Sequence, residues 1–239
     1  MTNQEIAPEQ GQASQALFGI VASAWSTRVL QVGAELGIAD LLKDGPKTLA
    51  ELAEATETHG PALSRLMRAL VALGIFTEQE PGTYGMTDLS WHLCRDYPGS
   101  LRNFIVFFGL DWSWSLWSEL PYAIKTGKSA MRHVHGMNVW EYIDAHPEHL
   151  NLFNKGMNEF STIINPSIIE AYDFSGFQSL VDVGGGYGNF LQLLAERNPS
   201  FQAILFERPS VIEEAKAIYA QTPLGSQFTL VGGDFLKEV

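Results

Sequence analysis

Between a short apolar run, Leu180-Val-Asp-Val, and a helical pattern from Asn189 to Arg197 lies the loop Gly184-Gly-Gly-Tyr-Gly. A second apolar run, Ala203-Ile-Leu-Phe-Glu, ends on Glu207, and a third, Phe228-Thr-Leu-Val, leads through Gly232-Gly-Asp-Phe to Asp234. Strand, glycine loop, helix and a strand ending in an acid is how a nucleoside cofactor is held at the carboxyl edge of a parallel sheet. Gly184, Gly185, Gly186 and Gly188 let the backbone approach such a ligand closely. A dinucleotide site reads G-x-G-x-x-G, but counted from Gly184 the third glycine position is Asn189, so the match fails where helix and strand must pack. Asp182, two residues before the loop, would repel a pyrophosphate and attract the ammonium of a methionyl tail. Glu207 can accept two hydrogen bonds from ribose hydroxyls, and Asp234 is placed to accept from an adenine amino group. Taken singly these are a tight turn and charged strand ends; together they favour S-adenosylmethionine over NAD.

Other reactive side chains offer less. His133-x-His135 and His146-x-x-His149 have a spacing that superficially resembles metal ligands, but no cysteine or paired acid completes a set, and no metal is expected. His59 and His92 read as surface or packing residues. Cys94 is the one cysteine, which excludes a disulfide framework and reads as a half-buried thiol in a reducing compartment.

The elements that must position these residues occupy 239 residues, 46% hydrophobic and 18% charged, enough apolar content for one or two folded domains. With 15 basic against 27 acidic side chains the net charge is −12, which argues against nucleic acid as the main partner. No apolar run is long enough to span a bilayer, Phe104 to Leu110 being a typical maximum, and the start MTNQEIAPEQ lacks a basic leader region. A cytoplasmic protein with no membrane partner is expected.

The first dozen residues are polar and expected to fray, after which Leu17, Ile20, Val21, Ala24, Val29 and Val32 recur at helical spacing, as one long helix or two short ones. Thr48 and Glu51 fit a capping box, Pro61 fits a first helical turn, and Gly74 stops the helix carrying Leu63, Met67 and Leu70. Ile75 to Gln79 and Thr83 to Thr87 flank Glu80-Pro-Gly as a β-hairpin with a turn of several residues. Helix, turn, helix, hairpin is the winged-helix order. From Leu101 to Ala171 the pattern is helical and rich in aromatics such as Phe107, Trp112, Trp117 and Trp140, which could be core or could wall a pocket for a flat apolar ligand. Three strands and two helices, the second capped by Ser210, fill the rest.

The sequence resembles the two-domain small-molecule O-methyltransferases of plants and bacteria, which methylate phenols and other hydroxylated aromatics. The likeness covers nearly the whole chain. It is carried by Leu180-Val-Asp-Val-Gly-Gly-Gly-Tyr-Gly, by Phe153-Asn-Lys-Gly-Met-Asn-Glu-Phe-Ser-Thr and by Gly232-Gly-Asp-Phe. The implied fold is a mainly α winged-helix domain (1–100), a helical linker and substrate-lining region (101–178), and an α/β Rossmann-like methyltransferase domain (179–239) truncated after three strands. By the same likeness Gly184, Gly186, Glu207, Asp234, Phe235 and Ser161 would contact S-adenosylmethionine, and Phe153, Met157 and Trp114 would face a small-molecule hydroxyl acceptor. The winged-helix part would make a homodimer; residues 1–100 carry six basic and twelve acidic side chains, unlike a DNA reader. Glu207-Arg208-Pro209 departs from the family's usual aspartate followed by Leu-Pro.

The family's catalytic histidine would lie beyond Val239, so no catalytic residue is assigned within the chain. Two functional outcomes stay open. One is an O-methyltransferase of secondary metabolism present as an incomplete chain; the other is a catalytically inactive truncated homologue acting as a dimerising or interaction protein. A winged-helix regulator would need Pro61 to Gly74 as recognition helix, which offers only Arg65 and Arg68 in an acidic setting.

Overall fold

The computed structural model describes residues 8–237. The contacts divide the chain between Trp114 and Ser115 into two compact units.

The first unit opens with α1 (Pro8–Glu35) and α2 (Ile38–Leu42), followed by β1 (Lys47–Thr48), α3 (Leu49–Ala55) and α4 (Gly60–Ala72). Then come β2 (Phe76–Glu80), β3 (Thr83–Met86), α5 (Asp88–Trp91) and α6 (Arg102–Gly109), while α7 (Asp111–Ser118) crosses the division. Helicity starts at Pro8, so residues 8–12, expected to fray, continue the 28-residue α1; residues 1–7 lie outside the described ones. Thr48 caps α3 through the expected box, its hydroxyl accepting from the Glu51 N–H while the Glu51 carboxylate accepts from the Thr48 N–H at 2.7 Å. Gly74 adopts φ 73°, the left-handed turn that ends α4 and turns the chain into β2. The hairpin is tighter than its sequence implied. Glu80 pairs with Thr83, so Pro81-Gly82 alone makes the turn, and a bulge between Glu78 and Glu80 takes up the residue assigned to a longer loop. β1 adds a third, two-residue strand in the order β1-β3-β2. Ile38, Leu42, Leu52, Met67, Leu70 and Phe76 are buried together as the core.

The second unit begins with α8 (Leu120–Thr126), α9 (Ala130–His135), α10 (Val139–Asp144) and the 25-residue α11 (Pro147–Ala171). The alternation β4 (Ser179–Val183), α12 (Asn189–Arg197), β5 (Gln202–Glu207), α13 (Pro209–Tyr219) and β6 (Phe228–Gly232) follows, with a 3-10 turn at Pro223–Gln227. The strands are parallel in the order β4-β5-β6. Pro209, not Ser210, starts α13: proline at the first turn replaces a side-chain cap. β5 lies between two neighbours and is the buried strand, Ala203 and Leu205 closing a core with Leu191, Ile212, Ala215 and Tyr219. On β4 the apolar Val181 and Val183 are 48% and 44% exposed. No helix among the described residues is long and apolar enough to cross a membrane.

Candidate functional site

The register of the sheet sets the spacing of the three acids. Asp182 stands opposite Leu205, and Leu205 opposite Leu230; Glu207 stands opposite Gly232. Glu207 is therefore two residues further along the strand direction than Asp182, and Asp234 two further again. At about 3.3 Å per residue, the step from Asp182 to Glu207 advances about 6 to 7 Å while crossing one strand spacing, and Asp234 follows two residues past the end of β6. The carboxylates form a staircase along the edge of the sheet, suited to an elongated ligand.

The glycine loop fills the start of that staircase. Gly184 (φ 74°), Gly186 (φ 59°) and Gly188 (φ 81°) are all left-handed, a backbone that side chains with a Cβ rarely adopt. A Cβ on Gly185 would stand 2.4 Å from the Asp182 Oδ2, so the carboxylate of Asp182 lies directly beneath the loop. A Cβ on Gly186 would meet nothing within 4 Å, leaving that side open to a ligand. Glu207 spans the gap between strand and loop: its Oε2 accepts from the Gly186 N–H at 3.1 Å and its Oε1 from the Arg208 N–H at 2.7 Å. Burial pushes the Asp182 carboxyl above the ordinary carboxylate range, and the neighbouring Glu207 charge pushes it the same way. A carboxylate that burial makes costly to ionise gains most from a cationic group brought beside it.

Asp234 lies two residues past the end of β6 and is exposed, its carboxylate accepting from the Leu236 N–H at 3.1 Å and pairing with Lys237 at 3.1 Å. Those bonds, the Lys237 contact first, hold its carboxyl below the usual range. Phe235 is 54% exposed beside it, its ring 4.0 Å from where a Gly184 Cβ would stand. Phe153, Met157 and Ser161 follow each other at four-residue intervals along α11. One turn beyond Ser161, Asn165 donates to the Asn189 side chain at 2.9 Å, which ties α11 to the first residue of α12. The Phe153 ring meets Trp140 edge-on at 5.6 Å, and the Arg208 guanidinium lies over that indole at 5.8 Å while pairing with Asp144 at 2.5 Å. Trp114 belongs to the first unit, where its indole N–H donates to Gln31 at 2.8 Å and Arg28 lies over its ring at 5.9 Å.

Each histidine has its own surroundings. His59 stands at the start of α4, the His92 ring bonds the Gly99 carbonyl, and His133 stacks on Tyr122 at 3.8 Å. His135, His146 and His149 gather around Tyr142, and no metal-binding cluster of His, Cys, Asp or Glu occurs among the described residues. Cys94 is buried, more completely than its sequence context implied, and burial raises its thiol pKa.

The sequence profile of the O-methyltransferase domain matches residues 117–239, and that of the O-methyltransferase dimerisation domain matches residues 18–96. The chain belongs to the O-methyltransferase family. It is 34% identical over 226 residues to a phenazine O-methyltransferase of Lysobacter antibioticus, covering 95% of this chain and 66% of that protein. To the mitomycin biosynthesis 6-O-methyltransferase of Streptomyces lavendulae it is 31% identical, over 95% of this chain and 65% of the relative. The chain thus spans about two thirds of the length of these curated relatives. The crystal structure of CalO1, a methyltransferase of calicheamicin biosynthesis with SAH bound, superposes with a TM-score of 0.78 at 30% identity, over 95% of this chain and 68% of that one. The fold is that of the family: a helical dimerisation domain followed by an α/β methyltransferase domain.

Three contributors carried no signal in the sequence. Arg208 showed only as a departure from the family's leucine, and Asn165 and Tyr219 lie far in sequence from the loop helix and loop that they touch.

Proposed function

We propose that the chain binds S-adenosylmethionine at the carboxyl edge of β4-β5-β6 and serves the O-methylation of a hydroxylated, aromatic small molecule of secondary metabolism. The observation that carries this is the staircase of Asp182, Glu207 and Asp234 around a glycine loop whose Gly186 side is open. The donor set fits the cofactor: the half-buried Asp182 carboxylate for the ammonium, the loop of Gly184, Gly185, Gly186 and Gly188 for the tail, Glu207 for the ribose, and Asp234 with Phe235 for the adenine, with Ser161 alongside. Glu207 is one methylene longer than the family's aspartate and keeps both acceptor oxygens. Trp114, Phe153 and Met157 are assigned to the acceptor. When bound, S-adenosylmethionine supplies an electrophilic methyl group.

A phenol has an unperturbed pKa of about 10, so a base must expose its oxygen at neutral pH, a contribution of about 10² to 10⁴ in rate. None of the six histidines is assigned that role. We further propose a cytoplasmic homodimer formed through the N-terminal domain, because Leu17, Ile20 and Val21 of α1 are 58% to 69% exposed and apolar. The working division remains 1–100 for dimerisation, 101–178 for acceptor lining and 179–239 for the cofactor. Titration calorimetry with S-adenosylhomocysteine tests the assignment: saturable binding is expected, with none for NAD. Binding of NAD in preference would overturn it.

A further inference from the structure

We propose that Tyr219 is a positioning residue for the cofactor loop, holding its inner carbonyls so that the open side keeps one shape for the ligand's amino-acid tail. The inference rests on the cofactor reading above and names what sets its geometry. Tyr219 is the last residue of α13, 3% exposed. Its hydroxyl donates to the Tyr187 carbonyl at 2.9 Å and lies 3.2 Å from that of Gly188. Its ring stacks on Phe228 at 3.9 Å with an interplanar angle of 20°, so β6 fixes the ring and the ring fixes the loop. The fit leaves no slack, since a Cβ on Gly188 would stand 2.9 Å from the Tyr219 oxygen. The same helix takes the other end of Tyr187, whose phenol donates to the Glu214 carboxylate. One loop residue is thus held by α13 at its carbonyl and at its side chain, while Glu207 holds the Gly186 N–H. A loop with three left-handed glycines has many conformations to lose, and ordering it before the ligand arrives removes that loss from binding.

Tyr219→Phe keeps the stacking and removes the hydroxyl. Its affinities for S-adenosylhomocysteine and for methylthioadenosine, which shares the nucleoside but lacks the amino-acid tail, are measured by calorimetry. The expected result is a loss of about threefold to tenfold for S-adenosylhomocysteine, the worth of one hydrogen bond, with methylthioadenosine within about twofold of wild type. Equal losses for both ligands would show a merely structural residue and overturn the proposal, as would no loss for either. Wild-type protein that binds neither ligand would instead overturn the cofactor reading beneath it. Glu214→Ala, at an exposed position, removes the hold of α13 on the Tyr187 phenol without touching the core, leaving the Asn154 side chain as the phenol's other partner. It should weaken S-adenosylhomocysteine in the same selective way, and unchanged affinity there would refute the clamp even if Tyr219→Phe failed to fold.

Discussion

Gly185→Ala is the most direct probe of the packing under the cofactor loop. The glycine lacks the left-handed φ of its neighbours, so the backbone accepts alanine and the cost is steric. The new Cβ would stand 2.4 Å from the Asp182 Oδ2, 2.5 Å from its Cγ and 2.8 Å from the Leu205 Cδ1. Ordinary contacts lie at about 3.5 to 4.0 Å, so each is short by about 1 Å. Leu205 is fully buried in the central strand and cannot yield; the Asp182 carboxylate must move or the loop must lift. Overpacking of this kind costs about 1 to 3 kcal/mol. That corresponds to about five- to 150-fold faster amide exchange in β4 and β5, which hydrogen-exchange mass spectrometry of residues 179–207 resolves without reference to the other unit. In an Asp182→Ala background two of the three overlaps vanish, so the penalty should shrink, a coupling that the double-mutant cycle measures. The same penalty in both backgrounds, or unchanged protection in the single variant, would refute the placement of Asp182 beneath the loop.

Gly186→Val places a branched side chain at φ 59° on the open side of the loop, and calorimetry should show S-adenosylhomocysteine binding abolished. The raised pKa of Asp182 means the folded state holds this proton more tightly than the unfolded chain. Its contribution to stability is therefore present at acid pH and is lost as pH rises from the ordinary carboxylate value through the raised one. The cofactor ammonium needs the ionised form, so affinity should climb over the same window; Asp182→Asn should flatten the profile, and a profile unchanged in that variant would count against the assignment. Arg208→Ala removes a half-exposed ion pair and a ring contact and should cost about 1 kcal/mol, read as faster exchange in α10 with little change in S-adenosylhomocysteine affinity. Leu17→Glu with Val21→Glu should convert a dimer to a monomer in sedimentation velocity, the wild type staying dimeric at micromolar concentration.

Features written in neighbouring residues were legible: the capping box at Thr48 and Glu51, the left-handed stop at Gly74, and the glycine loop between strand and helix. Each depends on a bond or a dihedral within a few positions. β1 was not legible, because a two-residue strand has no periodicity and exists only by pairing with Thr83 and Tyr84. The tightness of the hairpin turn was not legible because a bulge has no composition of its own. Residues 8–12 are polar, and helix there is propagated from the apolar turns that follow. At the site, the identities of the three acids could be read in the sequence but their stepwise offset could not, since it depends on strand register. Tyr219 is separated by 31 residues from the glycine whose carbonyl it meets, and a long-range side-chain contact leaves no local pattern.

That offset has a bearing on how the chain tolerates insertion and deletion. Leu205 and Glu207 share one face of β5 because they are two positions apart, and Leu205 packs under the loop while Glu207 reaches its Gly186 N–H. Side chains alternate across a pleat, so lengthening β5 by one residue between Ala203 and Glu207 would send Glu207 to the opposite face, away from the Gly186 N–H. The turn at Asn198 to Phe201, ahead of β5, carries no such parity and could absorb an added residue without turning any carboxylate over. Within the strands, length is counted in pairs; in the connections it is not.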